Sequence, residues 1–206
     1  MVLFAKRKQK EAIASLLDSD RHPFVRERIE SLQNSIALLD GGKLIVLAPV
    51  DSFESAASLS IAMADAYTAN QSSCAVLNAN LSSSFFDCLR SDSAETVNNQ
   101  SDVLSTSYRT KKGWLAICPP KNAYPAAAYH EGVINDLINS RIEDFEHMIV
   151  VLPPLQNLEL IAPISDSIKS VVLVTQKNIT KRKLLFNAIR SIANQKINVL
   201  KIVLIG

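Results

Sequence analysis

The spacing of apolar residues changes period several times along this chain. Val25, Ile29, Leu32, Ile36 and Leu39 recur every three or four residues, which predicts an amphipathic helix from Phe24 to Leu39 with Gly41 just past its end. Lys43 to Ala48 is then a short run of mostly branched apolar residues with no alternation, the pattern of a strand buried on both faces. Pro49 and Asp51-Ser52 interrupt it. From Glu54 the helical period returns through Ala57, Ile61, Met63 and Ala64, and Asp51 and Ser52 are suitable N-cap residues. Cys74 to Leu77 is a second apolar strand, ending in Asn78-Ala79-Asn80. A strand–helix–strand unit of this length predicts a parallel pair joined by a right-handed crossover.

The alternation continues to the end of the chain. Strands are expected at Trp114 to Cys118, Met148 to Leu152, Ser170 to Thr175 and Ile197 to Ile205, with Pro119-Pro120 and Pro153-Pro154 stopping the first two. Helices are expected at Tyr129 to Ile142, with Ile134, Leu137 and Ile138 inward, and at Thr180 to Gln195, with Leu184, Leu185, Ile189 and Ile192 on its stripe. A short helix containing Pro163 is expected from Leu158 to Ile168. Two stretches stand outside this rhythm. Residues 1–20 form a basic segment (Lys6, Arg7, Lys8, Lys10) followed by a short helix at Ala12 to Leu17. Ser82 to Lys112 is rich in Ser, Asn, Asp and Thr, and reads as a surface excursion with short helices around Phe85–Leu89 and Ser101–Leu104. The expected fold is α/β: a doubly wound, mostly parallel sheet flanked by helices, as one domain over residues 21–206.

At 206 residues and 48% hydrophobic the chain can bury a full core. A net charge of +2 gives no broad nucleic-acid footprint. Cys74, Cys88 and Cys118 lack metal-type spacing and read as structural thiols of a reducing compartment. His22, His130 and His147 are scattered, and no Ser–His–Asp set can be assembled. No apolar run reaches the ~18 residues of a membrane span. A cytoplasmic protein is expected.

The first strand–helix turn is where α/β proteins of the nucleotide-binding kind hold phosphates. That site needs glycines for close backbone approach, a Lys for charge, and a Ser or Thr for magnesium. Here the turn is Ala48-Pro49-Val50-Asp51-Ser52-Phe53-Glu54-Ser55, with no Gly, no Lys and two carboxylates. No glycine occurs between Gly42 and Gly113.

These parts together resemble the bacterial tyrosine kinases of capsule and exopolysaccharide export, which belong to the deviant P-loop group that also contains the MinD/ParA-type ATPases. Ser101-Asp102-Val103-Leu104-Ser105 resembles that family's Gly-Leu-Ser-Asp-Val-Leu-x-Gly segment. Val150-Val151-Leu152-Pro153-Pro154 resembles its Asp-Thr-Pro-Pro strand end, and Val171 to Gly206 its last strand–helix–strand. His22-Pro23 and the helix to Leu39 resemble its N-terminal helix. The resemblance spans about residues 20 to 206.

The departures fall on the charged groups. Asp51-Ser52-Phe53 stands where the family has Gly-Lys-Ser/Thr, Asn78-Ala79-Asn80 where it has Asp-x-Asp, and Val151 where its Walker B Asp belongs. Glu27, Glu30 and Gln33 replace the Glu-x-x-Arg-x-x-Arg motif that joins subunits into rings. MgATP brings three to four negative charges to such a turn. At ~5 Å and an effective dielectric near 20, each like-charge pair with Asp51 or Glu54 costs about 3 kcal/mol, while a helix dipole returns only ~1. The resemblance therefore implies a degenerate, inactive member, with neither ATP nor Mg²⁺ as cofactor. It would scaffold or regulate export by contact with a membrane chain-length regulator of the Wzz type or with an active kinase, without a nucleic-acid partner, and be recruited to the inner face of the membrane. A homodimer is compatible with this reading and a kinase-type ring is not. An active kinase or ATPase with a remodelled loop, and an adaptor of the MinD/ParA kind, are the alternatives. Asp51, Glu54, Lys181, Arg182 and Lys183 are the candidate partner-binding residues. Phe53 and Glu54 complete the degenerate turn. Asn78 and Asn80 either line a polar pocket for a neutral ligand or serve as turn residues.

Overall fold

The computed structural model describes residues 23–80, 83, 86, 93–97, 105–118, 132–156 and 167–205. Helix α1 (Pro23–Asp40) precedes strand β1 (Leu44–Pro49), helix α2 (Phe53–Ala69) and strand β2 (Cys74–Asn78). Strands β3 (Ser93–Val97), β4 (Thr106–Thr110) and β5 (Leu115–Cys118) follow, then helix α3 (Val133–Arg141) and strand β6 (His147–Val151). Strand β7 (Ser170–Gln176), helix α4 (Arg182–Asn194) and strand β8 (Asn198–Ile205) close the described chain.

The strands form one eight-stranded sheet in the order β3-β4-β5-β2-β6-β1-β7-β8. Pairing is parallel from β5 through to β8, and antiparallel where β4 joins β3 and β5. One core lies between the sheet and α1 and α2, built on Ile29, Leu32, Ile36, Ile61 and Met63. The other lies beneath α3 and α4, built on Ile134, Leu137, Ile138 and Ile192. Helices thus cover both faces, and the fold is a mostly parallel, doubly wound α/β sheet. The central strands are buried on both sides, so their sequences run apolar without alternation.

Four expectations need correction. First, β1 and β2 are parallel but not neighbours, because β6 lies between them, with Leu47 and Asn78 both in register with Val151. A crossover fixes direction and hand, and leaves open how many strands it passes. Second, the polar stretch after Leu81 contains two strands, β3 and β4, which extend the sheet beyond β5. Their Ser- and Thr-rich sequences lack the apolar pattern of a buried strand. Third, Leu39 is exposed, and Gln33 takes its place in the buried stripe of α1 by donating from Nε2 to the Met63 carbonyl at 3.0 Å. Fourth, β8 is an edge strand with exposed residues, unlike the doubly buried strands beside it. Residues 1–22 and the expected short helices at 85–89, 101–104 and 158–168 fall wholly or mostly outside the described residues.

Candidate functional site

The C-terminal ends of β1, β2 and β6 bring the positions expected of a nucleotide site to one edge of the sheet. Asn78, Val151 and Leu47 stand side by side across β2, β6 and β1, and the turn from Val50 to Ser52 continues from Leu47. Parallel strands with a helix after each leave this edge open to ligands in doubly wound folds. The sequence placed these residues in the same region, and the structure assembles them there.

The turn itself is tied down by its own side chains. Val50 N–H donates to the Val174 carbonyl on β7 at 2.9 Å. Asp51 Oδ1 accepts from Ser52 N–H at 2.8 Å, and Asp51 Oδ2 accepts from the Thr180 hydroxyl at 2.6 Å. Thr180 Oγ1 in turn accepts from Gln176 N–H at 2.8 Å, and Gln176 Nε2 donates to Ser55 Oγ on α2. The Asp51 carboxylate therefore joins the start of α2 to the loop that starts α4. Helix N-termini favour a negative charge because their first N–H groups are unpaired. Here a residue of the chain supplies that charge.

Ser52 occupies the N-cap position of α2 with extended backbone, yet its side chain makes no capping bond. Its hydroxyl donates to Glu54 Oε2 at 2.9 Å instead. Glu54 is exposed in the first turn of α2, where a carboxylate complements the helix dipole. Phe53 is buried and meets Phe86 edge-on, with ring centroids 6.3 Å apart. The expectation that Asp51 is exposed and available to a partner is thus corrected: it is half-buried and already bonded on both oxygens.

Asn78 and Asn80 are buried, and Asn78 Oδ1 accepts from Asn80 N–H at 2.9 Å. That is an Asx turn, the local geometry that makes Asn frequent at strand ends. Val151 is fully buried, and its carbonyl accepts from Ala79 N–H at 3.0 Å. Lys181, Arg182 and Lys183 are exposed at the start of α4. Thr180 sets them next to the acidic turn, a proximity between residues 51 and 181 that no sequence spacing indicates. Among the described residues no cluster of His, Cys, Asp or Glu could hold a metal ion, and no helix is long and apolar enough to cross a membrane.

The kinase domain of Escherichia coli tyrosine kinase ETK superposes with a TM-score of 0.73 at 15% identity, over 88% of this chain and 75% of that one. The fold is that of a bacterial tyrosine kinase domain. The BceF tyrosine kinase domain gives 0.73 at 14% identity, over 91% of this chain and 81% of its own. The chimerical protein CapA2B2 gives 0.75 at 14% identity, over 92% and 89%. No protein-family profile and no curated protein sequence matches the chain. The likeness is thus one of backbone fold.

Proposed function

We propose that this chain is a catalytically inactive, tyrosine-kinase-like protein that regulates or scaffolds capsular or exopolysaccharide export through protein contacts. The observation that carries the reading is the Asp51 bridge between the starts of α2 and α4. A phosphate at this turn would have to displace the carboxylate from its donors and then lie beside it. The turn offers no lysine and no glycine to offset that repulsion, and the residues in the metal-ligand positions are Asn78, Asn80 and Val151. These residues do not fit MgATP, and no phosphoryl-transfer step is assigned to them. The shared fold of the tyrosine kinase domains supports a place in the same export machinery.

The proposed partner is the cytoplasmic segment of a membrane chain-length regulator of the Wzz type, or an active kinase, which would recruit the protein to the membrane's inner face. Glu54 and the Lys181–Lys183 cluster are the exposed charges at this edge that such a partner would meet. Titration calorimetry with MgATP and MgADP tests the first half, with no saturable heat expected at micromolar nucleotide. Binding of purified regulator segment or kinase domain, measured with Glu54→Lys and with Lys181→Glu/Lys183→Glu, tests the second. Micromolar nucleotide binding, or partner affinity unchanged in both variants, overturns the corresponding half.

A further inference from the structure

We infer that the free edge of β8 is a self-association surface, on which a second copy of this chain pairs antiparallel to extend the sheet across a two-fold axis. Among the described residues the sheet ends at β8, with no strand on its outer side. The Ile205 carbonyl accepts from Lys177 N–H at the end of β7, at 2.7 Å. Backbone groups alternate direction along a strand, so Val203 and Lys201 also bond towards β7, while Leu204 and Ile202 aim their N–H and C=O groups outward. The same two residues expose their side chains: Ile202 is 45% and Leu204 62% accessible. An edge that offers unpaired backbone donors and apolar side chains together is a template for another strand.

The strand's own sequence suits pairing with a second copy, and Lys201 and the bulge disfavour two of the registers open to it. A bulge at Leu200 separates Val199 from Lys201 in the pairing with β7, leaving Lys201 to Ile205 as the regular stretch. An axis through Val203 sets Ile202 against Leu204 of the other copy, and Leu204 against its Ile202. Both residues of each pair then exchange their outward N–H and C=O groups. On the opposite face Lys201 meets the other copy's Ile205, so the strand's one charged residue is not set against itself. An axis through Lys201 would bring two ammonium groups directly opposite, which is unfavourable. An axis through Ile202 would set Leu204 against the bulge.

The face beside these pairs is also apolar. Leu184, Asn187, Ala188 and Ser191 of α4 line a groove with Val50 and Leu155, towards the centre of the sheet. The other flank of α4 therefore looks towards β8, and it carries Phe186, 58% accessible beneath the Arg182 guanidinium. Ile179, 63% accessible, lies in the loop between β7 and α4. With Ile202 and Leu204 these side chains expose on the order of 500 Å² per copy, a fitting apolar centre for a face of ~800 Å². The inference does not depend on whether the phosphate turn binds nucleotide.

Sedimentation velocity of the full chain from about 1 to about 100 µM tests the inference, because association follows mass action. A concentration-dependent dimer is expected. Ile202→Lys/Leu204→Lys should weaken it at least about tenfold. Leu204→Pro should do the same while sparing the bonds to β7, since the N–H it removes points outward. Disulfide trapping reads the register with side chains close to native. Val203→Cys should cross-link on mild oxidation, as directly opposed residues in a non-hydrogen-bonded pair lie within disulfide reach, and Ile202→Cys should not. A chain that stays monomeric throughout, a dimer that survives all three edge substitutions, or trapping through Cys at position 202 alone overturns the inference. So does a monomer that instead binds an extended segment of another protein along β8.

Discussion

The Asp51 carboxylate accepts a hydrogen bond from the Thr180 hydroxyl across 2.6 Å, although 129 positions separate the two residues. Both groups are half-buried at the open edge of the sheet, so the bond is only partly screened by water. Hydrogen bonds to charged groups contribute about 1.5 to 3 kcal/mol when sheltered, and less as exposure grows. Asp51→Ala and Thr180→Val should each lower stability by about 1 to 2 kcal/mol. In a double-mutant cycle by urea denaturation the two should couple by about 1 kcal/mol. Strictly additive losses would show that the bond contributes nothing.

Trp114 anchors the antiparallel part of the sheet to α2. Its indole Nε1–H donates to Asp65 Oδ1 at 2.6 Å, and both side chains are buried. Trp114→Phe keeps most of the ring volume and removes that donor from a buried carboxylate. A loss of about 2 kcal/mol is expected by far-UV circular dichroism in urea. A loss below about 0.5 kcal/mol would mean that the bond is readily replaced.

Gln33 of α1 is buried and donates to the Met63 carbonyl of α2. Gln33→Leu should cost less than about 1 kcal/mol, since apolar surroundings accept the replacement. Gln33→Glu sets a carboxylate against a carbonyl oxygen and should cost about 2 to 3 kcal/mol at pH 7. Protonation restores a donor, so much of that loss should be recovered below about pH 5. Equal stability of the two variants at pH 7 would contradict the buried placement.

Burial, and then the nearby Asp65, push the Cys74 thiol up from its ordinary 9.0 to about 12. The folded state therefore holds this proton more tightly than the unfolded chain. The resulting stability is fully present below pH 9.0 and is lost as pH rises towards about 12. Cys74→Ala should flatten the fall in melting temperature over that window. At pH 7.5 Cys74 should resist iodoacetamide in the folded protein and react only on unfolding. Labelling of Cys74 at the rate of a free thiol would contradict this.

The fold was legible wherever both faces of an element are apolar. Ile45 to Ala48, Met148 to Val151 and Val171 to Val174 are strands because nothing in them is suited to water. What the sequence did not show was anything set by partners distant along the chain. Thr110 of β4 is polar yet buried, because its Oγ1 donates to the Trp114 carbonyl at 3.1 Å once the β4–β5 hairpin has formed. Gln33 is buried for the same kind of reason. At the candidate site the missing lysine and glycines were plain from Asp51 to Glu54. The bond that draws Asp51 inward was not, because Thr180 reads locally as an ordinary residue ahead of a helix. His147 likewise stood alone in the sequence, but its ring stacks on Tyr67 with centroids 3.8 Å apart, and its Nδ1 lies 2.8 Å from the Gly42 carbonyl oxygen.

The place of β6 between β1 and β2 also sets an order of events as the chain emerges from synthesis. When β2 has been made, its slot beside β1 is still vacant, and the strand that fills it starts only at His147. Until then β1 and β2 share a helix but no hydrogen-bonded partner, and their apolar edges are open to any other extended segment. Contacts of such long sequence separation form late and leave intermediates prone to aggregation. Fragments that end before His147 should therefore be insoluble or need a chaperone, and those that extend through Gln176 should be the first to hold the central β2-β6-β1-β7 sheet.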